Sequence, residues 1–337
     1  MDYPASIAPV SPQLRGEPGR GLDVVPVVEL SLVVPVLNER DTVGLFLDCI
    51  GGIFDKDPSV QLEIVFVNDG STDGTLEFLC NRQRIDERVK VVDLSRNFGK
   101  EAALTAGLDI ARGRVIVPID ADLQDPPELI LEMIGLWRQG YDVVQARRID
   151  RRADSLPKRL SSSWFYRLHN WIAEPKLPEN VGDFRLIDRA VVEALKTLPE
   201  SRRFMKGLFA WVGFRTAVVD YVRPPRAAGS SKFNGWRLWN FALEGLTSFS
   251  TAPLRVWTYL GGLVAGLSFL HGLFILIRVF VYGVDTPGFA SLFVAMTFLG
   301  GLQLIGIGVL GEYLGRAYLE TKRRPIYIVR RVYEHKN

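Results

Sequence analysis

The chain has 337 residues, 47% of them hydrophobic, which is enough for one large domain and something smaller. Its formal net charge of +3 is too small to argue for nucleic acid as a partner. Neither cysteine (Cys49, Cys80) has a metal-ligand spacing and the three histidines (His169, His271, His335) are scattered, which argues against a zinc site and fits a reduced, cytosolic compartment.

Residues 1–29 hold five prolines (Pro4, Pro9, Pro12, Pro18, Pro26), several glycines and no apolar run. They lack the core of a signal peptide and read as a disordered cytoplasmic tail. Residues 30–36 (LSLVVPV) are a β-branched apolar run suited to a strand buried on both faces. Asn38, Glu39 and Asp41 then open a helical pattern to about Ile53. A second strand is expected over 62–67 (LEIVFV), ending in the turn Asn68-Asp69-Gly70-Ser71, with a helix from about Asp73. A third strand over 89–94 precedes a helix over 100–111, and a fourth over 115–119 ends at Asp120. Pro126 and Pro127 start the next helix, and 141–146 is the fifth strand. This alternation predicts an α/β domain built on a parallel sheet with helices on both faces.

In such sheets ligands bind beyond the carboxyl ends of the strands. Asn38-Glu39, Asn68-Asp69, Arg96-Asn97, Asp120-Asp122 and Arg147-Arg148 all fall at those ends. Helix capping and a solvated turn explain any one of these clusters; five at one edge mark a site. Residues 148–180, basic and then aromatic, read as a loop followed by a helix, and 184–187 and 215–222 as further strands at the sheet edge.

Residues 256–277 are 22 in a row without a charge, interrupted only by His271, and 289–311 are a further 23. At roughly 1.5 Å per residue each crosses a hydrocarbon core of about 30 Å. The short connector, with Gly283, Asp285 and Pro287, reads as a hairpin turn. Arg237 and Arg255 precede the hairpin, Arg316, Lys322, Arg323, Arg324, Arg330 and Arg331 follow it, and only Arg278 lies near the connector. The positive-inside rule then puts both chain ends and the soluble part in the cytoplasm, with the protein multi-pass in the cell membrane. Residues 236–250 suit either an interfacial helix or an ordinary packing helix. The expected organisation is a tail (1–29), a catalytic domain (30–230), a juxtamembrane segment (231–255), two spans (256–311) and a basic cytoplasmic tail (312–337). Gly306-Ile307-Gly308-Val309-Leu310-Gly311 matches a dinucleotide fingerprint, but it follows no strand and lies in an apolar span, where small residues serve helix packing.

Asp120-Ala121-Asp122 ends a buried strand, where two carboxylates approach one hard cation if the chain turns. A bare D-x-D is a weak signal, but here it continues as DADLQDPPE (120–128). With it occur VVPVLNE (33–39), VNDGSTDGT (67–75), LSRNFGKEAALTAG (94–107), GDFRLIDR (182–189), RAAGSSKF (226–233), FSTAPLR (249–255) and GEYLGRAYLE (311–320). Over about 30–330 the chain resembles the family 2 inverting glycosyltransferases of GT-A fold. Within them it resembles the polyprenyl-phosphate branch, which includes dolichyl-phosphate mannose synthases and bacterial undecaprenyl-phosphate glucosyl- and aminoarabinosyl-transferases.

The resemblance implies a GT-A, Rossmann-like, mostly parallel sheet followed by a two-helix transmembrane hairpin. It implies a nucleotide-sugar donor, a polyprenyl phosphate acceptor and Mg²⁺ or Mn²⁺. Pro35, Asn38, Glu39 and Asp69 would line the nucleotide pocket, Asp69 addressing the base, with Asn97 and Lys100 at its border. Asp120 and Asp122 would hold the metal against the diphosphate, with Gln124 as a further ligand. Asp183 matches a proposed catalytic base, and Arg147, Arg159, Arg226, Ser231 and Lys232 would contact donor or acceptor phosphates. A phosphate monoester has a second pKa of about 6 and is already nucleophilic at neutral pH, so Asp183 is expected mainly to orient. Glucose from UDP-glucose is the first expectation, with N-acetylhexosamine, aminoarabinose and mannose open. A processive polysaccharide synthase is disfavoured by the absence of Q-x-x-R-W. A non-catalytic lipid- or nucleotide-binding protein is disfavoured by the intact D-x-D and Asp183. The glycines of the apolar spans allow a homo-oligomer.

Overall fold

A computed structural model describes residues 28–55, 59–149, 181–198, 200, 203–222, 252–282 and 288–335. Eight strands form one sheet: β1 (Leu30–Val36), β2 (Leu62–Asn68), β3 (Val89–Leu94), β4 (Val115–Pro118), β5 (Val143–Arg148), β6 (Val181–Asp188), β7 (Thr216–Tyr221) and β8 (Val329–Tyr333). The helices are α1 (Arg40–Phe54), α2 (Thr75–Gln83), α3 (Lys100–Ile110), α4 (Leu129–Arg138), α5 (Arg189–Lys196), α6 (Met205–Trp211), α7 (Ala252–Tyr282) and α8 (Phe289–Thr321).

The spatial order is β7-β5-β6-β4-β1-β2-β3-β8. The pairs β1–β2, β1–β4, β2–β3 and β5–β7 are parallel, whereas β6 runs antiparallel to β4 and β5, and β8 antiparallel to β3. The sheet is therefore mostly parallel, as expected, with β6 and β8 as its two reversed strands. Strands β1 to β4 are buried on both faces, as their apolar runs require. On one face Phe46 and Ile50 of α1, Leu79 of α2 and Met133 and Trp137 of α4 pack on Leu32, Val34 and Phe66. On the other, Ala103 and Leu104 of α3, Val191 and Leu195 of α5 and Leu208 of α6 pack on Val33, Val65 and Val92. Helix α3 lies so close to the sheet that a Cβ on Gly107 would collide with Val33 Cγ1.

β1 leads through α1 to β2 on one side, while β3 leads through α3 back across the sheet to β4 on the other side of β1. The gap between β1 and β4 is thus the switch point where the strand order reverses, the usual place for a ligand crevice. β4 is short: Pro118 pairs with Val33, and Pro35, two residues further along β1, has no partner on that side. A proline without an N–H is tolerated where the ladder has already ended.

Among the described residues one stretch, Phe298–Thr321, of 24 residues and mean hydropathy 1.3, is long and apolar enough to cross a membrane, and none of it is buried. The fingerprint glycines lie in α8, where a Cβ on Gly306 would come to 3.5 Å of the Trp257 ring of α7, a helix-packing contact. The 231–251 part of the juxtamembrane segment and the basic-aromatic segment of 150–180 lie outside the described residues.

Candidate active site

Five chain segments converge at the switch point. Pro35 comes from β1, Lys100 and Leu104 from α3, Pro118, Ile119 and Asp120 from the end of β4, Asp125 from the turn beyond it, and Asp183 and Phe184 from β6; together they line one narrow cleft. Asp183 reaches this edge only because β6 is reversed, so that its first residues lie beside the last residues of its neighbours. In register, Val181 at the start of β6 pairs with Arg147 near the end of β5.

Lys100 is the first residue of α3, which starts after Gly99 in a left-handed conformation (φ +98°). Its ammonium lies 2.7 Å from Asp120 Oδ1 and 3.2 Å from Asp183 Oδ2 and so joins the two carboxylates. The two carboxylates hold the ammonium well above the usual lysine range, overcoming the opposing effect of burial, so it stays charged. Burial pushes the Asp183 carboxyl up, but Lys100, Lys206 and Arg185 outweigh it and bring it down to about 2. Next to it, burial and the charge of Asp183 raise Glu101 to about 7. Met205 N, at the start of α6, donates to Glu101 Oε2 (3.3 Å), which links α3 to the helix that carries Lys206. Arg185 lies within the sheet, its guanidinium 4.2 Å from the Phe209 ring and donating to Gly182 O (2.6 Å).

The turn after β4 supplies the second carboxylate. Leu123 has φ +55°, a left-handed conformation that a branched side chain seldom adopts, and it reverses the chain directly after Asp122. Gln124 N donates to Asp122 Oδ1 (3.2 Å), and Tyr221 OH of β7 donates to Asp125 Oδ1 (2.8 Å), which fixes the turn to the sheet. The donor set of Asp120, Asp122 and Gln124 consists of hard oxygens and fits Mg²⁺ or Mn²⁺. Among the described residues no three His, Cys, Asp or Glu side chains gather at one point. Such an ion would therefore take its remaining ligands from substrate phosphates and water, the usual habit of Mg²⁺.

The second half of the edge is built by β1 and β2. Asn38, left-handed at φ +55°, donates its N–H to Ser71 Oγ (3.0 Å) and accepts from Thr72 N (2.8 Å) at Oδ1. Glu39 N donates to Thr75 Oγ1 (3.0 Å), and the Glu39 carboxylate accepts from the Thr42 hydroxyl (2.8 Å) in the first turn of α1. Asp69 is buried and accepts from Phe98 N (2.7 Å) and Gly99 N (2.9 Å). Burial leaves its carboxyl above the ordinary range despite these two amides. Asp69 thus shapes the loop that delivers Lys100, a part the sequence did not disclose. Asn97 is exposed on that loop.

Arg147 lies at the same edge, where its guanidinium grips Asp220 of the neighbouring β7 at 2.6 and 2.9 Å. Arg159, Arg226, Ser231 and Lys232 lie outside the described residues. Sequence reasoning gave no part to Glu101, Asp125, Arg185, Lys206 or Asp220. Glu101, Asp125 and Arg185 stand inside the quoted motifs, so a signal existed for them, whereas Lys206 follows an apolar pattern that gives none.

The family model for glycosyl transferase family 2 matches residues 31–196. The prophage bactoprenol glucosyl transferase homolog of Escherichia coli K12 is 52% identical over 305 residues, 90% of this chain and 99% of that protein. The bactoprenol glucosyl transferase of Shigella phage SfV is 54% identical over 90% of this chain and 98% of its own length. Glucosyl-3-phosphoglycerate synthase from Mycobacterium tuberculosis, solved with Mn²⁺, UDP and phosphoglyceric acid, aligns with a TM-score of 0.47 at 21% identity over 65% of this chain and 76% of that one, too distant to bear on function.

Proposed function

The chain belongs to glycosyl transferase family 2, and on that premise we propose that it transfers glucose from UDP-glucose to undecaprenyl (bactoprenol) phosphate at the cytoplasmic face of a membrane. The names of relatives more than half identical along nearly their full lengths support the sugar and the lipid. The observation that carries the chemistry is the Asp120–Lys100–Asp183 group at the sheet switch point, beside the turn that presents Asp122.

The leaving group is a diphosphate on which negative charge grows, and fixed cations and a divalent ion lower the barrier by meeting that charge. Asp120, Asp122 and Gln124 would hold Mg²⁺ or Mn²⁺, which would neutralise the diphosphate. Pro35, Asn38, Glu39, Asp69 and Asn97 form the edge assigned to the nucleotide. The acceptor arrives as a phosphate dianion, so no strong base is required. With its carboxyl near 2, Asp183 is a poor proton acceptor, which favours its orienting Lys100 and Lys206 toward phosphate oxygens. Arg147, Arg159, Arg226, Ser231 and Lys232 are the further phosphate contacts. Attack from the opposite side of the anomeric carbon in a single displacement inverts it. In the membrane α7 and α8 form the two-span hairpin, with the basic residues that flank it on the cytoplasmic side.

The test is transfer of label from UDP- and GDP-sugars into organic-extractable lipid, using purified protein, undecaprenyl phosphate, and Mn²⁺ present or absent. Metal-dependent label from UDP-glucose, lost in Asp122→Asn, is the expected result. Label from N-acetylhexosamine, aminoarabinose or mannose donors instead would replace the sugar. No label from any donor would overturn catalysis and leave a binding protein.

A further inference from the structure

The last strand of the sheet follows the apolar helix α8 after seven residues, 322–328. Extended chain spans at most about 3.3–3.6 Å per residue, so the sheet edge stays within roughly 25 Å of the helix end. Ser95 N donates to Ile328 O (2.9 Å), and Arg330 Nη2 donates to Ser95 O (2.8 Å) where β3 gives way to the loop of Arg96 and Asn97. The other terminal guanidinium nitrogen, Nη1, lies 3.6 Å from Asp93 Oδ2. Asp93 is 2% exposed, and a buried carboxylate without a compensating cation is costly. Its further partner is Asn68, whose Nδ2 donates to Asp93 Oδ1 (2.8 Å). With its amide so fixed, Asn68 presents Oδ1 to Ser71 N (3.2 Å). Ser71 Oγ in turn accepts from Asn38 N, and Asn38 accepts from Thr72 N. A polar chain thus runs from the strand after the membrane helix, through Asp93 of β3 and Asn68 of β2, to the turn at the nucleotide edge.

We propose that Arg330 is a positioning residue of the donor site: through Asp93 and Asn68 it sets the Asn68–Thr72 turn, so that the segment returning from the membrane completes the nucleotide pocket. The donor part of this proposal rests on the nucleotide-sugar reading above. Arg330 touches no substrate itself. Its loss leaves the buried Asp93 carboxylate without a cation, so that it turns outward to water and draws the Asn68 amide, which it still holds, away from Ser71 N. A lysine supplies the charge without the guanidinium fork and restores part of the effect.

The experiment uses the full-length protein in detergent, as wild type, Arg330→Gln and Arg330→Lys. It reads hydrogen exchange of the 68–72 amides, the melting temperature, and KM and kcat for UDP-glucose. The expected result for Arg330→Gln is faster exchange confined to 68–72 and 95–99, with KM raised about tenfold and kcat little changed; Arg330→Lys falls between. Unchanged exchange at 68–72, or a uniform loss of protection that follows a lowered melting temperature, would overturn the proposal. If no variant, wild type included, used UDP-glucose while exchange at 68–72 still rose, the donor reading would fall and the link from Arg330 to the turn would stand.

Discussion

At the residue scale the site turns on which charges persist. Asp183 lies among Lys100, Lys206 and Arg185, which bring its carboxyl to about 2 against the upward push of burial. It is therefore ionised throughout the neutral range, and in the proposed reaction it would act as a fixed negative charge. Asp183→Asn is expected to lose activity about a hundredfold, the scale of removing one preorganised electrostatic partner. Measured in a Glu101→Gln background, which removes the neighbouring group near 7, the loss should be the same factor at pH 6 and pH 8.5, since the acid limb belongs to the acceptor phosphate with its second pKa of about 6. Initial rates of lipid glucosylation at the two pH values decide this; a loss several times larger at pH 6 would restore a proton-accepting role. Asp120, Asp122 and Asp183 were legible because each stands in a motif at a strand end. Lys206 was not, because a lysine among apolar residues is ordinary, and Glu101, although inside the quoted 94–107 stretch, reads as an ordinary glutamate in a first helical turn. Their meaning comes from α6 and α3 meeting over β6, a long-range contact that no local pattern encodes.

At the element scale the turns do the positioning. Gly70 has φ +76°, and a Cβ there would stand 2.7 Å from Asn97 N, backbone that cannot swing aside. The turn after β2 and the loop after β3 therefore touch at a point where only glycine fits. Gly70→Ala is expected to destabilise by about 1–3 kcal/mol, the usual range for strained backbone, and to raise the donor KM. Urea unfolding and donor kinetics measure the two effects, and a neutral substitution would show that the two loops are not in contact in solution. The sequence displayed the glycine and the turn but not the neighbour that makes the glycine necessary. Strand positions came through because apolar runs between turn residues are local. The direction of β6 did not, since VGDFRLID reads the same for either sense. β8 was hidden for another reason: VRRVY carries two arginines and reads as part of a basic tail, although an edge strand exposed on its outer side accepts such residues readily.

At the scale of the whole molecule one network, buried at Ser31, Glu63 and Lys90 and exposed at Arg112 and Glu334, ties the end of β8 to the centre of the sheet. Glu63 of β2 accepts from Ser31 Oγ of β1 (2.6 Å), from Lys90 Nζ of β3 (2.8 Å) and from Arg112 N in the turn before β4 (2.9 Å). Lys90 and Arg112 both reach Glu334, just beyond β8, at 3.3 and 3.1 Å. Burial raises the Glu63 carboxyl, but the Arg112 amide, Lys90 and Ser31 outweigh it and hold it below its ordinary 4.5. The folded state thus binds this proton more weakly than the unfolded chain. The stability so gained is complete above about pH 4.5 and is lost as pH falls through the lower folded value. Glu63→Gln should flatten that acid-side loss, since the glutamine does not titrate. Lys90→Met should act differently: it leaves a carboxylate in a buried site with one ammonium fewer, an effect of about 3–5 kcal/mol at neutral pH. Combining the two removes the pair together, and the double variant should recover part of what Lys90→Met loses. Denaturant unfolding at pH 7 and pH 4 separates these outcomes. Strict additivity of the two single effects would mean that Glu63 and Lys90 act independently, and the network would then be a set of separate contacts rather than one clasp across the sheet.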